Sequence, residues 1–432
     1  MTDPNELSAL EAAQRIADGR LTSEALIHTC LERIYAREDI IGAWAHLDAD
    51  HAVAEAKQCD SEPARGPLHG VPVGIKDIID TVDMPTAQGS PIYAGNQPAA
   101  DAACVALLRE AGAIILGKTV TTEFAAMTPG KTRNPHNPDH SPGGSSSGSA
   151  AAIADFMVPL ALGSQTIGST IRPSTYCGVV GFKSSYGSFS LAGMKPQAPS
   201  MDALGLMARS VDDIVLLRAP LLGVAQLPDA GPDPVSQPPR IGVSRSPHWN
   251  KAEPEMVRAM EAAVQALEDS GAALEEIVLE PEFADVLDAQ WTILMFECSR
   301  GLRYELNNHA DALSEPLRNL LEQGRTCPYD DYLAALDLAA RCRALIAPIF
   351  DRVDVLLTPS AAGPAPLFGA PTDLLFQRLW TVLHLPSITL PAYVSATGLP
   401  VGIQLVGGLG SDSNLLSIAR WVEERVCPAT PI

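Results

Sequence analysis

The chain has 432 residues, 46% of them hydrophobic and 19% charged, with a formal net charge of −21 and a pI near 4.7. The length allows one to three domains and a large core, and the composition excludes a disordered chain. So acidic a chain repels nucleic-acid phosphates. No Lys/Arg run supplies a local patch to overcome this, so no nucleic-acid partner is expected.

Taken in order, "MTDPNELSALEAAQRIADGR" is acidic and polar, unlike a signal peptide. Residues 5–37 predict two amphipathic helices broken at "DGRLTSEA", where Gly19 ends the first and Thr22 or Ser23 caps the second. "LHGVPVGIKDIID" (68–80) is a β-rich apolar segment. A helix over 101–112 and a strand over 113–119 follow. A proline-rich loop (128–144) then enters "SPGGSSSGSAAA" (141–152) and a helix over 149–157. A second Gly/Ser/Thr cluster, "GSQTIGSTIRPS", occupies 163–174. Residues 225–240 read as a surface linker, 240–246 as a strand, 253–272 as a helix and 284–350 as several helices. Strands return in "VDVLLTPS", "SITLPAY" and "VGIQLVGG". This alternation argues for an α/β fold. No window reaches the ~18 apolar residues of a membrane span. Eight scattered cysteines without a C-x-x-C predict buried, reduced thiols and a cytoplasmic location.

Three motifs mislead. Gly112–Thr119 fits the phosphate-loop pattern, but its variable positions, Ala-Ile-Ile-Leu, are strand formers that cannot wrap a phosphate. His136 and His140 have the spacing of a helical metal pair, yet Pro138 forbids the helix. Gly144-Ser145-Ser146-Ser147-Gly148 is formally a nucleophile elbow on Ser146. That reading needs an upstream strand where "NPHNPDHSPGG" stands, and a histidine base. Of His248, His309 and His384, none has a distinctive setting, and His384 reads as a core histidine.

Lys76 is the only cation in "GVPVGIKDIID". Either it snorkels at a strand end beside Asp77, or it sits in a dry site where desolvation makes its neutral amine a base. A serine hydrolase without a placed histidine needs such a base. The turn 164–169 can offer backbone N–H groups to an oxyanion, with Gly168 supplying conformational freedom.

These segments resemble the amidase signature hydrolases. The likeness rests on "GVPVGIKD" (70–77), "NPHNPDHSPGGSSSGSAAAIA" (134–154), "ALGSQTIGSTIRPSTYCGVVGFKSSYG" (161–187), "MDALGLMARSVDD" (201–213) and "GLPVGIQLVGG" (398–408). It covers roughly residues 5–215 and 350–425. The resemblance implies one α/β domain over 1–432, a mixed central sheet covered by helices. Its signature core would span about 66–215, a variable pocket-shaping region 216–350 and a return to the sheet 351–425. It implies a Ser–cisSer–Lys triad: Ser169 as nucleophile, Ser145 (after a cis peptide) as proton relay and Lys76 as base. The oxyanion donors would be the amides of Thr166, Ile167, Gly168 and Ser169. Ser146, Ser147 and Ser149 become turn and helix-cap residues.

The loop "EFAAMTPG" (123–130) is similar to the family's pocket lining, making Met127 a candidate substrate contact as well as a candidate core residue. The family commonly reads G-S-D-T-G-G-S-I-R-x-P. Here Gln165 replaces the aspartate and Ile167 a glycine, and the arginine, Arg172, follows the nucleophile by three residues instead of two. The paired change is consistent with loss of a local ion pair. The implied activity is hydrolysis of the C–N bond of a small amide, carbamate or ureide, with urethane and ester cleavage chemically close and no cofactor or metal needed. Expected partners are that small substrate and, compatibly, a second copy of the chain, with no nucleic acid and no membrane. The alternative is the catalytic A subunit of a glutamyl-tRNA amidotransferase, against which the negative charge and the altered turn count. A catalytically dead binding protein is disfavoured because all three triad positions are present.

Overall fold

The structure is a computed structural model describing residues 3–224, 235–372 and 374–427, so residues 225–234 of the expected linker lie outside the described residues. One sheet organises the chain. Its strands are β1 (Trp44–Leu47), β2 (Pro72–Lys76), β3 (Ile114–Thr119), β4 (Leu160–Gln165), β5 (Val180–Lys183), β6 (Ala203–Ala208), β7 (Arg240–Val243), β8 (Ala273–Glu276), β9 (Val355–Pro359), β10 (Ser387–Val394) and β11 (Pro400–Val406). They run in the order β1-β3-β2-β4-β6-β5-β10-β11-β9-β7-β8. β2 is parallel to both β3 and β4, whereas the path from β4 through β6, β5, β10 and β11 to β9 is antiparallel. The sheet is therefore mixed and the fold α/β.

Every residue of β2, β3, β4, β5 and β6 is buried. Strands covered on both faces lack in/out alternation. That is why β4, β5 and β6, rich in Ala, Gly and Leu, carry no periodic signal. The N-terminal helices form as expected, Ala9–Ala17 and Ser23–Ile41, with Thr22 Oγ1 capping the second at Ala25 N–H. The helix expected over 253–272 spans Pro254–Asp269, and the 284–350 region is helical from Glu282 to Arg352 with short breaks. All eight cysteines are unpaired, with six buried and Cys327 and Cys427 half-exposed.

The helix Ser147–Ala154 lies close against the sheet. A Cβ on Gly148 would stand 2.2 Å from Ala43 O and 2.3 Å from Val120 N, both backbone atoms that cannot swing away. Gly148→Ala should cost about 1–3 kcal/mol by overpacking, read as a lowered Tm. A wild-type Tm would mean that the helix retreats freely.

Candidate active site

β2 and β4 are hydrogen-bonded neighbours, with Val73 opposite Leu160 and Ile75 opposite Leu162. Their ends carry Lys76 and Ser164 into the same space. The Lys76 amine is fully buried and donates to Ser145 Oγ at 2.6 Å and Ser164 Oγ at 2.7 Å. Burial drives its pKa well below the ordinary 10.5, because an ammonium loses its hydration here, and the Asp202 carboxylate only partly opposes this. Of the two readings of Lys76, the geometry gives the dry site and not the snorkel.

Ser145 follows a cis Gly144–Ser145 peptide. The next amide, Ser146 N–H, donates to Ser169 O at 3.2 Å, so the two serine clusters lie against each other. Ser169 itself is buried. The remaining serines do not cap their helix. Ser146 occupies the N-cap position, but its Oγ bonds Ser164 O at 3.3 Å. The hydroxyls of Ser147 and Ser149 lie inside the helix and reach Val120 O and Leu162 O. A tightly seated helix directs these hydroxyls to strand carbonyls, which end-capping logic does not anticipate.

The turn expected over 164–169 is shorter in the structure, because Ser164 and Gln165 extend β4 and only residues 166–169 of it lead to the helix Ile171–Cys177. Its carbonyls are pinned one by one. Thr166 O accepts from Gln290 Nε2 at 3.5 Å, Ile167 O from Thr381 Oγ1 at 3.0 Å, Gly168 O from Arg172 N at 2.9 Å, and Ser169 O from Ser146 N. Because a trans peptide is planar, fixing each carbonyl fixes the N–H of the following residue, pointing the other way. The N–H groups of Ile167, Gly168 and Ser169 donate to nothing among the described residues. Three aimed, unused donors can hold an oxyanion. Gly168 is required here for space and not for a left-handed φ: it is absent from the positive-φ residues, and a Cβ there would meet Gln377 Cβ and Oε1 at 2.9 Å.

Gln165 is fully buried. Its Oε1 accepts from Thr170 N–H and Ile171 N–H, both at 3.0 Å, capping the Ile171–Cys177 helix, while Nε2 donates to Thr381 Oγ1 at 2.9 Å. Arg172 is engaged elsewhere, donating Nη2 to Gly144 O. Asp202, fully buried, accepts from Thr166 Oγ1 at 2.5 Å and from the Gln197 and Ala198 amides. Burial pushes its carboxyl pKa up, while the Thr166 hydrogen bond opposes the shift.

A pocket of about 300 Å³ abuts Gly144 and Ser147. It is lined by Met127, Pro129, Phe368 and Leu374 among others, with Arg172 as its charged side chain. Met127 is 46% exposed, so it is a pocket residue and not a core one. Residues 216–350 contribute none of this lining among the described residues; their helices back the turn instead, through Gln290 and an apolar cluster holding Ile167, Phe283 and Val286.

The misleading motifs resolve simply. Lys118 is buried in β3 and bonds Thr86 Oγ1 at 2.7 Å, leaving no phosphate loop. His136 and His140 bond separate carbonyls, Cys177 O and Ala365 O. No group of three metal-ligating side chains occurs among the described residues, and no described helix is long and apolar enough to cross a membrane. His384 stacks on Tyr186 and bonds Ser200 O, and burial lowers its pKa to about 4.

The residues that sequence reasoning missed are Ser164, Asp202, Gln290, Gln377 and Thr381. Ser164 opens the second cluster, and its place as the polar residue near a strand end is the signal that could have found it. The rest lie 36 to 214 positions from their partners in the turn, and nothing local marks them.

A family model described as Amidase matches residues 25–416. The chain is similar to the A subunit of the glutamyl-tRNA(Gln) amidotransferase of Salinispora arenicola, 33% identical over 493 aligned positions covering 100% of this chain and 99% of the relative. A crystal structure of an amidase superposes with a TM-score of 0.90 at 32% identity, covering 97% of this chain and 100% of that one. The native peptide amidase of Stenotrophomonas maltophilia superposes with a TM-score of 0.85 at 29% identity, covering 99% and 98%.

Proposed function

We propose, because this chain belongs to the amidase family of carbon–nitrogen hydrolases, that it acts alone on a small amide, carbamate or ureide through an acyl-enzyme on Ser169. The observation that carries the reading is the buried Lys76 amine, its pKa driven well below the ordinary value by desolvation, at 2.6 Å from Ser145 Oγ. Neutral Lys76 accepts the Ser145 proton as Ser145 accepts that of Ser169, and Ser169 Oγ attacks the carbonyl carbon. The oxyanion forms against the turn amides, Thr166 to Ser169. Collapse breaks the C–N bond, and the proton returns from Lys76 through Ser145 to the leaving nitrogen. Water then attacks the acyl-enzyme by the same relay, releasing the acid and restoring Ser169. The cycle consumes one water and needs no cofactor.

A pocket of about 300 Å³ supports a small substrate. It borders Gly144, the residue before Ser145, and its mostly apolar lining favours a substrate with an aryl or alkyl group. The purified chain alone should hydrolyse members of a panel of p-nitroanilides, aryl carbamates and primary amides. The full-length likeness to the A subunits of amidotransferases favours a second reading, transfer of ammonia to charged tRNA within a multisubunit enzyme. Inertness across the panel, with activity appearing only on adding partner subunits and charged tRNA, would replace the first reading by the second.

A further inference from the structure

We infer that Gln165 and Thr381 form a positioning pair that aims the Gly168 amide at the oxyanion, in place of the carboxylate that the family's pattern puts at position 165. The inference rests on the reading of Ser169 as nucleophile. The hydrogen-bond inventory of the two side chains decides it. A threonine hydroxyl has one hydrogen to give. Gln165 Nε2 is a donor and occupies a lone pair of Thr381 Oγ1 at 2.9 Å. The hydroxyl hydrogen is thereby turned away from residue 165, toward Ile167 O at 3.0 Å, with Gln377 O at 3.4 Å as the weaker alternative.

Fixing Ile167 O fixes the peptide plane that carries Gly168 N–H. An aspartate or glutamate at 165 would offer only acceptors. It would capture the hydroxyl hydrogen and free the Ile167 carbonyl to rotate. Gln165 and Thr381 are both at least 99% buried, so water does not replace the lost bond. The other end of Gln165 secures Thr170 and Ile171 N–H, so one amide side chain holds both ends of the turn. In this chain the departure from the family's pattern places an amide at residue 165 that is matched by a hydroxyl on the helix Leu375–Val382.

The test compares Thr381→Val, Thr381→Ser and Gln165→Glu with the wild type, using a substrate found in the panel and with Ser169→Ala as control. A misaimed donor is felt in the transition state more than in substrate binding. Thr381→Val should therefore lose about tenfold to a hundredfold in kcat, with KM within about twofold. Thr381→Ser should restore kcat, because it keeps the hydroxyl. Gln165→Glu should lose kcat to a similar degree, and combining it with Thr381→Val should add little further loss. Should Thr381→Val not fold, Gln165→Glu and Thr381→Ser carry the decision. Wild-type kcat in Gln165→Glu and Thr381→Val, a loss appearing only in KM, or no rescue by serine overturns the pair. Turnover persisting in Ser169→Ala overturns the nucleophile instead, so the two failures are distinguishable.

Discussion

Lys76→Ala should lower kcat/KM at pH 8 by roughly 10²- to 10⁴-fold, the range over which a positioned proton acceptor acts, without abolishing the fold. The wild-type acid limb should share this origin. The amine's pKa lies well below 10.5 because burial penalises the ammonium form. Above that lowered value Lys76 is neutral and can accept a proton; as pH falls through it the amine charges and turnover falls with it. The same shift affects stability with a definite sign. Between the lowered folded value and the unfolded value the unfolded chain binds one more proton, so folding becomes more favourable as pH rises through that window. Lys76→Met fills nearly the same volume with nothing to titrate. It should flatten the pH dependence of Tm and raise Tm near neutrality while remaining inactive. Wild-type turnover in Lys76→Ala at pH 8 would remove Lys76 from the chemistry.

The second large effect belongs to the nucleophile. Ser169→Ala should form no covalent adduct with a serine-directed fluorophosphonate and should lose turnover by roughly 10⁴-fold or more. Ser146→Ala should still be labelled, because its hydroxyl is committed to Ser164 O and it stands at a helix start without an upstream strand. Mass spectrometry of the labelled peptide decides between them. An adduct that survives at residue 169 replaced by alanine and disappears with Ser146 would restore the nucleophile-elbow reading.

The α/β class is legible in the sequence from its alternation of strands and helices, and the candidates Lys76, Ser145 and Ser169 stand out because they lie in short, unusual strings, a cation alone in an apolar strand and two Gly/Ser clusters, to which the family resemblance attaches roles. Helices with periodic patterns, such as Ser23–Ile41 and Pro254–Asp269, can be placed to within a few residues. The wholly buried β4, β5 and β6 cannot, since a strand covered on both faces has no alternation to read. The supports of the turn are illegible for another reason. Gln290 and Thr381 reach Thr166 O and Ile167 O from helices more than a hundred residues downstream, and a threonine in "RLWTVLH" looks like any other helix residue. Gly168 belongs to the turn as the sequence suggests, but steric contact with Gln377 and not backbone freedom demands glycine there.

The strand order also governs how the enzyme comes into being. β10 and β11, among the last segments to be synthesised, insert between β5 and β9 at the middle of the sheet. A nascent chain that stops before residue 387 has an open strand edge at β5, and the β7–β8–β9 ladder has no neighbour to join it to the rest. Such a topology has high contact order and closes slowly. Thr381 enters only a few residues earlier, so the turn is fully braced only when the carboxyl-terminal part has emerged from the ribosome. On the proposed mechanism, a chain cut short before these segments should break no substrate bond.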